Sequence, residues 1–137
     1  MNAEIKNSIV KQLQKAKGHL EYSYRKVKAM RLANELTEEQ LETLESFSSR
    51  FARFSDLIVS KYFRVLALEK DPAFRGSVID LLNMAEKFGW VNDAKTWIRI
   101  RELRNVAANE YAIDDYKKLY AELIGLTPYL LNVPLDR

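Results

Sequence analysis

The chain has 137 residues, of which 47% are hydrophobic and 30% charged, and its formal net charge is +3. This length and composition predict one soluble globular domain, residues 1–137, with its own hydrophobic core. The lack of cysteine excludes a disulfide framework and a thiolate zinc site, and no apolar run has the length of a signal peptide or a membrane span. We therefore expect a cytoplasmic protein without a membrane association.

Two long helices are predicted in the first half of the chain. Positions three and four residues apart between residues 5 and 31 are mostly apolar, which indicates an amphipathic helix of about 30 residues with a basic opposite face. Residues 37–40, TEEQ, have the pattern of a capping box, so a second helix is expected to begin there. Its apolar positions continue to Leu68 and stop before residues 71–72, Asp-Pro.

Three shorter helices are predicted in the second half, each with a polar capping residue at its start. The candidate caps are Ser77, Asn92 or Asp93, and Asp114 or Asp115. The first of these helices is expected to end at Gly89, and Pro128 is expected to kink the last one. Together the elements predict an all-α fold, an antiparallel bundle of four to five helices with two long N-terminal helices.

Charge is distributed unevenly along the two long helices. Residues 1–33 hold eight Lys and Arg side chains and two Glu side chains, whereas residues 34–46 hold five Glu side chains and no cation. The basic end could attract a polyanion such as RNA, with Lys15, Arg25 and Lys28 as candidate contacts. The simpler interpretation is a solvated helix face.

Most catalytic constellations are missing from the sequence. His19 is the only histidine and there is no cysteine, so the chain offers neither a metal triad nor a Cys–His pair. We expect His19 to be a surface or boundary residue. We expect no metal and no cofactor.

Residues 104–111, RNVAANEY, form the candidate site, within the fourth predicted helix. A helical wheel of about 100° per residue places polar side chains on one arc, with small alanines between them, and apolar side chains on the opposite half toward the bundle. The arc holds Arg101, Arg104, Asn105, Asn109 and Tyr111, with Trp97 beside Arg104, and the opposite half holds Leu103, Val106 and Ala107.

This polar arc could bind phosphate. A guanidinium is a planar fork of donors suited to phosphate oxygens, so Arg104 is a candidate phosphate clamp. Asn105 and Asn109 could orient a hydroxyl or a phosphate, but an amide does not titrate near neutrality and cannot relay a proton. The alternative interpretation is that Arg101, Glu102 and Asn105 face water and that Arg104 pairs with a carboxylate.

RNVAANEY resembles the signature motif of the HEPN superfamily, which has an arginine, four residues, a histidine, one residue and a tyrosine. Arg104 and Tyr111 match the arginine and the tyrosine, and Asn105 matches the polar residue that usually follows the arginine. Asn109 departs from the motif, because it stands where the family has histidine. The order of the helices is also similar, and residues 46–57, SFSSRFARFSDL, resemble the second helix of the toxins in HEPN/MNT toxin–antitoxin modules.

The resemblance implies a metal-independent endoribonuclease that works as a homodimer, with two motif helices meeting at one composite cleft. Arginine would stabilise the transition state, and histidine would take the proton from the ribose 2′-hydroxyl that attacks the neighbouring phosphate. Such effects are typically worth roughly 10² to 10⁴-fold each. The resemblance also implies a cognate nucleotidyltransferase antitoxin, which in some modules modifies the motif tyrosine, here Tyr111, with AMP.

With Asn109 in place of the histidine, this chain is expected to bind RNA or its antitoxin with little cleavage. The asparagine is either an engineered replacement of a toxic histidine, which its near-equal size favours, or a natural loss. Two other functions remain open. One is a non-catalytic substrate-binding or antitoxin-type partner of a nucleotidyltransferase, which would use the polar arc as a protein interface. The other is a bundle in which the arc is a buried dimer seam.

Overall fold

A computed structural model describes residues 2–108 and 116–137, and within these residues the chain is helical and contains no strand. Helices α2 and α3 are joined by a π-helical segment, Leu57–Phe63, without a break in helical backbone angles, so that the described residues form five helical rods. The helices are α1 (Asn2–Ala29), α2 (Glu38–Asp56), α3 (Arg64–Lys70), α4 (Val78–Lys87), α5 (Ala94–Ala108) and α6 (Tyr116–Leu131). The predicted all-α bundle with two long N-terminal helices is confirmed.

Side-chain caps fix where α2 and α4 begin. Thr37 Oγ1 accepts a hydrogen bond from Gln40 N at 3.1 Å, and Gln40 Oε1 accepts one from Thr37 N at 2.9 Å. Ser77 and Asp80 form the same reciprocal pair at the start of α4, with distances of 3.2 and 2.8 Å. Gly89 follows α4 with a φ of 76°, the left-handed conformation that glycine adopts at low cost. These predicted boundaries are confirmed.

Asp93, and not Asn92, caps α5. Its Oδ1 accepts a hydrogen bond from Thr96 N at 2.7 Å, and this bond lowers the pKa of the Asp93 carboxyl. Asp114 and Asp115, the candidate caps of the last helix, lie outside the described residues. Pro128 lies inside α6.

The π-helical segment changes which apolar side chains reach the core. The spacing predicts Leu68 on the buried face, but Leu68 is 37% exposed, whereas Leu66 and Ala67 are buried. Buried pairs recur every four residues through this region, at positions 54–55, 58–59, 62–63 and 66–67. In an α-helix, four residues turn by about 40° more than one full turn, so side chains four positions apart move gradually around the helix. A π-helix has more residues per turn, which offsets this rotation and keeps the buried pairs on one face.

The two long rods pack antiparallel, and the shorter helices close the core against them. Lys6 near the start of α1 contacts Glu69 in α3, and Ser23 near the end of α1 contacts Arg50 in α2. Phe63 of the π segment lies 5.8 Å from the ring of Trp90 and 5.6 Å from that of Trp97. This aromatic cluster ties α5 to the π segment, which places the candidate motif beside the end of α2.

None of the helices in residues 2–108 and 116–137 combines the length and the apolar character that a membrane span needs.

Candidate functional site

Arg104 lies on the inward side of α5, next to the residues that build the core. Trp97 and Ile100, which are close to Arg104 on the helical wheel, are both buried. The prediction that Trp97 lies on the polar arc is wrong, because its side chain is buried. Val106, which was expected to face the bundle, is 44% exposed, whereas Leu103 is buried as predicted. The large indole at residue 97 sets the orientation of the helix and turns Arg104 toward α2.

A bidentate ion pair holds Arg104 against Asp56, the last residue of α2. Arg104 Nη2 donates to Asp56 Oδ2 at 2.8 Å, and Arg104 Nε donates to Asp56 Oδ1 at 3.1 Å. Hydrogen bonding to this carboxylate raises the pKa of Arg104 above its usual value. The Arg104 side chain nevertheless remains 29% exposed, so solvent and solutes can reach it. The interpretation in which Arg104 pairs with a carboxylate is confirmed.

The ion pair lies in an open cleft of about 570 Å³ between α2 and α5, which we call the Arg104 cleft. Its lining residues are Glu45, Ser48, Ser49, Ala52, Arg53, Asp56, Leu57, Arg104 and Ala107. Apart from Glu45, the residues contributed by α2 and the π segment all fall within residues 46–57. The two sequence stretches that carry the family resemblance therefore meet at one cleft.

The other predicted site residues are distributed differently. Arg101 is half-buried and Asn105 is exposed, and neither is among the described residues that line the Arg104 cleft. Glu102 is exposed, as the alternative interpretation expected. Asn109 and Tyr111 lie outside the described residues, so their predicted roles stay predictions.

The predicted RNA contacts on α1 are all exposed, but only one of them lies near the Arg104 cleft. Lys15 borders a second depression of about 350 Å³, which shares Arg53 and Leu57 with the Arg104 cleft. Arg25 and Lys28 are not among the described residues that line the Arg104 cleft or the second depression. Lys28 Nζ instead lies 5.5 Å from the centroid of the Tyr24 ring.

Asp56 and Arg53 were not predicted as site residues. One feature of the sequence points to them, a polar stripe on α2 in which Glu45, Ser49, Arg53 and Asp56 recur every three or four residues. This stripe alternates with the buried phenylalanines of the same helix, so it marks a solvent-facing side. Nothing in the local pattern shows that α5 packs beside it.

The Arg104 cleft can hold an anion through directional donors. It offers two guanidinium groups and two serine hydroxyls as donors, whereas its carboxylates, Glu45 and Asp56, balance the two arginine charges. The described lining residues include no histidine. The described part of the chain also lacks any group of three or more His, Asp or Glu side chains that could hold a metal ion. The described residues therefore offer oriented donors for a phosphate group, with the Asp56 carboxylate already hydrogen-bonded to Arg104.

The chain matches no protein-family model, and neither the curated proteins nor the solved structures contain a significant match to it.

Proposed function

We propose that this chain is a HEPN-type toxin of a prokaryotic toxin–antitoxin module, with the Arg104 cleft as its RNA-binding site. One observation carries the proposal: the motif arginine on α5 and residues 46–57 on α2 line the same open cleft. The parent activity would be metal-independent RNA cleavage by attack of a 2′-hydroxyl on the neighbouring phosphate. Asn109 supplies no proton acceptor, so the chain as it stands would bind RNA with little cleavage.

Arg104 can bind phosphate even though Asp56 already holds it. A guanidinium carries five N–H donors, and Asp56 accepts from Nε and Nη2 along one edge of the fork. The edge formed by Nη1 and Nη2 has the geometry for a phosphate group. Asp56 would then orient the guanidinium through one N–H of Nη2, while its negative charge would compete with that of a phosphate bound through the other N–H.

A homodimer would complete the site. Two copies of α5 meeting across a twofold axis would place two Arg104 side chains along one RNA strand, as the family resemblance implies. The cognate partner would be a nucleotidyltransferase antitoxin in the cytoplasm, and Tyr111 would be the residue it modifies with AMP. An AMP group on Tyr111 would add negative charge to the chain and would oppose RNA binding.

Restoring the histidine tests this function. The Asn109→His variant is expected to arrest growth on expression and to cut RNA at least about 10²-fold faster than the unmodified chain, because a proton acceptor returns to the site. The products should end in a 2′,3′-cyclic phosphate, which mass spectrometry of the fragments detects. Harmless expression of a folded Asn109→His variant without RNA cleavage would contradict the nuclease proposal.

A second function is favoured by the Arg104–Asp56 pair itself. Because the pair is neutral overall, the cleft could equally serve a non-catalytic subunit that binds a nucleotidyltransferase through polar contacts. In that case Arg104→Ala would weaken the complex with the nucleotidyltransferase and leave RNA binding unchanged. Pull-down and RNA-binding measurements on this one variant separate the two functions.

A further inference from the structure

The groove between α1 and α2 is a second surface, which contains no described motif residue and shares Arg53 and Leu57 with the Arg104 cleft. Two depressions of about 350 and 160 Å³ follow each other along it. His19 and Arg53 line the first depression, and Tyr22 and Arg50 line the second. Because the helices are antiparallel, the two depressions follow each other along both of them, and their nearest lining residues are three positions apart on each helix, which is about one helical turn. We call this surface the α1–α2 groove.

The α1–α2 groove is positively charged. Two cations line each depression, and Glu42 is the one carboxylate among the described residues that line them. The cations are Lys15, Lys26, Arg50 and Arg53. Within residues 2–108 and 116–137 none of the four forms an ion pair. Their charge is therefore available to a polyanion.

Arg50 is fixed across the groove by uncharged partners. Its Nη1 donates to Ser23 Oγ at 2.8 Å and to the backbone carbonyl oxygen of His19 at 3.2 Å. Both acceptors belong to α1, so the guanidinium bridges the two helices. Hydrogen bonds to neutral oxygens orient the guanidinium without cancelling its charge.

Tyr22 presents an exposed aromatic ring close to two of these cations. Its side chain is 55% exposed, Lys26 Nζ lies 5.5 Å from the ring centroid, and Arg50 Cζ lies 5.9 Å from it. A lone exposed aromatic residue is common on protein surfaces and means little. An exposed ring bordered by cations inside a groove is the arrangement with which proteins stack unpaired bases and bind the flanking phosphates.

We infer that the α1–α2 groove is a track for single-stranded RNA, in which an unpaired base stacks on Tyr22 and adjacent phosphates bind Lys26 and Arg50. The strand must be single because the base faces of a duplex are covered by their neighbours. The track continues to the Arg104 cleft, since Arg53 and Leu57 line both the cleft and the first depression. The inference rests on the proposed RNA-directed function and names the form of RNA that the protein takes.

Fluorescence anisotropy with a labelled single-stranded RNA of about 12 nucleotides, a length within the range of single-strand sites, tests the inference on the full chain. Tyr22→Ala should weaken binding about tenfold, and Tyr22→Phe should bind within about twofold of the unmodified chain, because the stacking ring is kept. Tyr129→Ala is the matched control. Tyr129 is 46% exposed on α6 and lines a different cleft, so its loss should leave binding unchanged.

The same RNA annealed to its complement should bind at least about tenfold more weakly.

The outcomes separate this inference from the proposed function. If RNA binding is lost in Arg104→Ala but unchanged in Tyr22→Ala, the α1–α2 groove is not the track, and the proposal that the Arg104 cleft binds RNA is retained. Equal affinity for single-stranded and duplex RNA would also overturn the inference, because it would leave only a non-specific cationic surface. If the unmodified chain binds no RNA, the proposed function fails and the inference fails with it. Tyr22 is exposed, so Tyr22→Ala should keep the thermal unfolding midpoint, and a matching midpoint excludes misfolding as the cause.

Discussion

Arg104 and Arg50 are held in place by opposite kinds of partner. Arg104 forms a bidentate pair with the Asp56 carboxylate, whereas Arg50 donates to a serine hydroxyl and a backbone carbonyl. The first arrangement neutralises the guanidinium and the second leaves its charge uncompensated. An electrostatic attraction for RNA should therefore be strongest in the α1–α2 groove, while the Arg104 cleft supplies an oriented donor whose charge is already balanced.

The α1–α2 groove and the Arg104 cleft would have different roles in the proposed function. The α1–α2 groove would capture a strand, and the Arg104 cleft would position one phosphate of it for chemistry. Arg53 lies between them, because it lines both the cleft and the first depression of the groove. Variants that change one region should therefore affect binding or cleavage unequally.

The largest expected effect is on cleavage in the Arg104 cleft. In the Asn109→His background, Arg104→Ala should lower the rate of RNA cleavage about 10² to 10³-fold, because a donor that stabilises transition-state charge is lost. Arg99→Ala is the control, since Arg99 lies on the same helix and makes a similar bidentate pair with Glu122. Quantified cleavage of one defined RNA checks both variants. Equal loss in the two would show that an arginine on α5 matters only for folding.

Releasing Arg104 from its carboxylate should have a moderate effect. Asp56→Asn removes the competing negative charge, so single-stranded RNA should bind up to about fivefold more tightly, the upper end of what a partly exposed pair is worth. The same change should lower the free energy of unfolding by no more than about 1 kcal/mol. Anisotropy and urea unfolding measure the two effects. Weaker RNA binding would contradict competition and would make Asp56 a positioning residue for Arg104.

The smallest expected effect concerns the helix that carries Arg104. Asp93→Ala removes the cap of α5 and should lower the free energy of unfolding by about 1 kcal/mol at pH 7. The hydrogen bond from Thr96 depresses the folded pKa of Asp93 below the ordinary value of 3.8. The stabilisation is therefore fully present above that ordinary value and is lost as the pH falls through the depressed folded pKa.

Thr37→Ala, which removes the cap of α2, is the matched control for this pH dependence. A hydroxyl does not titrate in this range. The decrease in the free energy of unfolding caused by Thr37→Ala should therefore stay constant between pH 7 and pH 3, while the decrease caused by Asp93→Ala becomes smaller. Urea unfolding at both pH values makes the comparison. A constant loss for both variants would contradict the role of the Asp93 carboxylate.

Local signals predicted most of the fold. The caps at Thr37 and Ser77 and the helix end at Gly89 depend on residues within a few positions of one another. These helix boundaries can therefore be predicted from short stretches of sequence. The π-helical segment was not predictable in this way. A four-residue repeat of apolar side chains fits an α-helix approximately, and only tertiary packing shows that the wider turn is used.

The candidate site was harder to predict, because its partners are far apart in sequence. Arg104 was identified from its motif, but its partner Asp56 lies 48 residues away and belongs to another helix. The predicted orientation of α5 turns Arg104 outward, whereas the burial of Trp97 turns it toward α2. Large aromatic side chains are better guides to helix orientation than charged residues, since burying them contributes more free energy.

Nuclear magnetic resonance of the arginine side chains, during titration with single-stranded RNA, tests the central claim most directly. The Arg104 Nε–H signal should shift and saturate together with the ring signals of Tyr22. The Arg99 Nε–H group donates a hydrogen bond to Glu122 and lines neither site, so the chemical shift of its signal should not change. RNA binding that moves neither the Arg104 nor the Tyr22 signals would contradict the account.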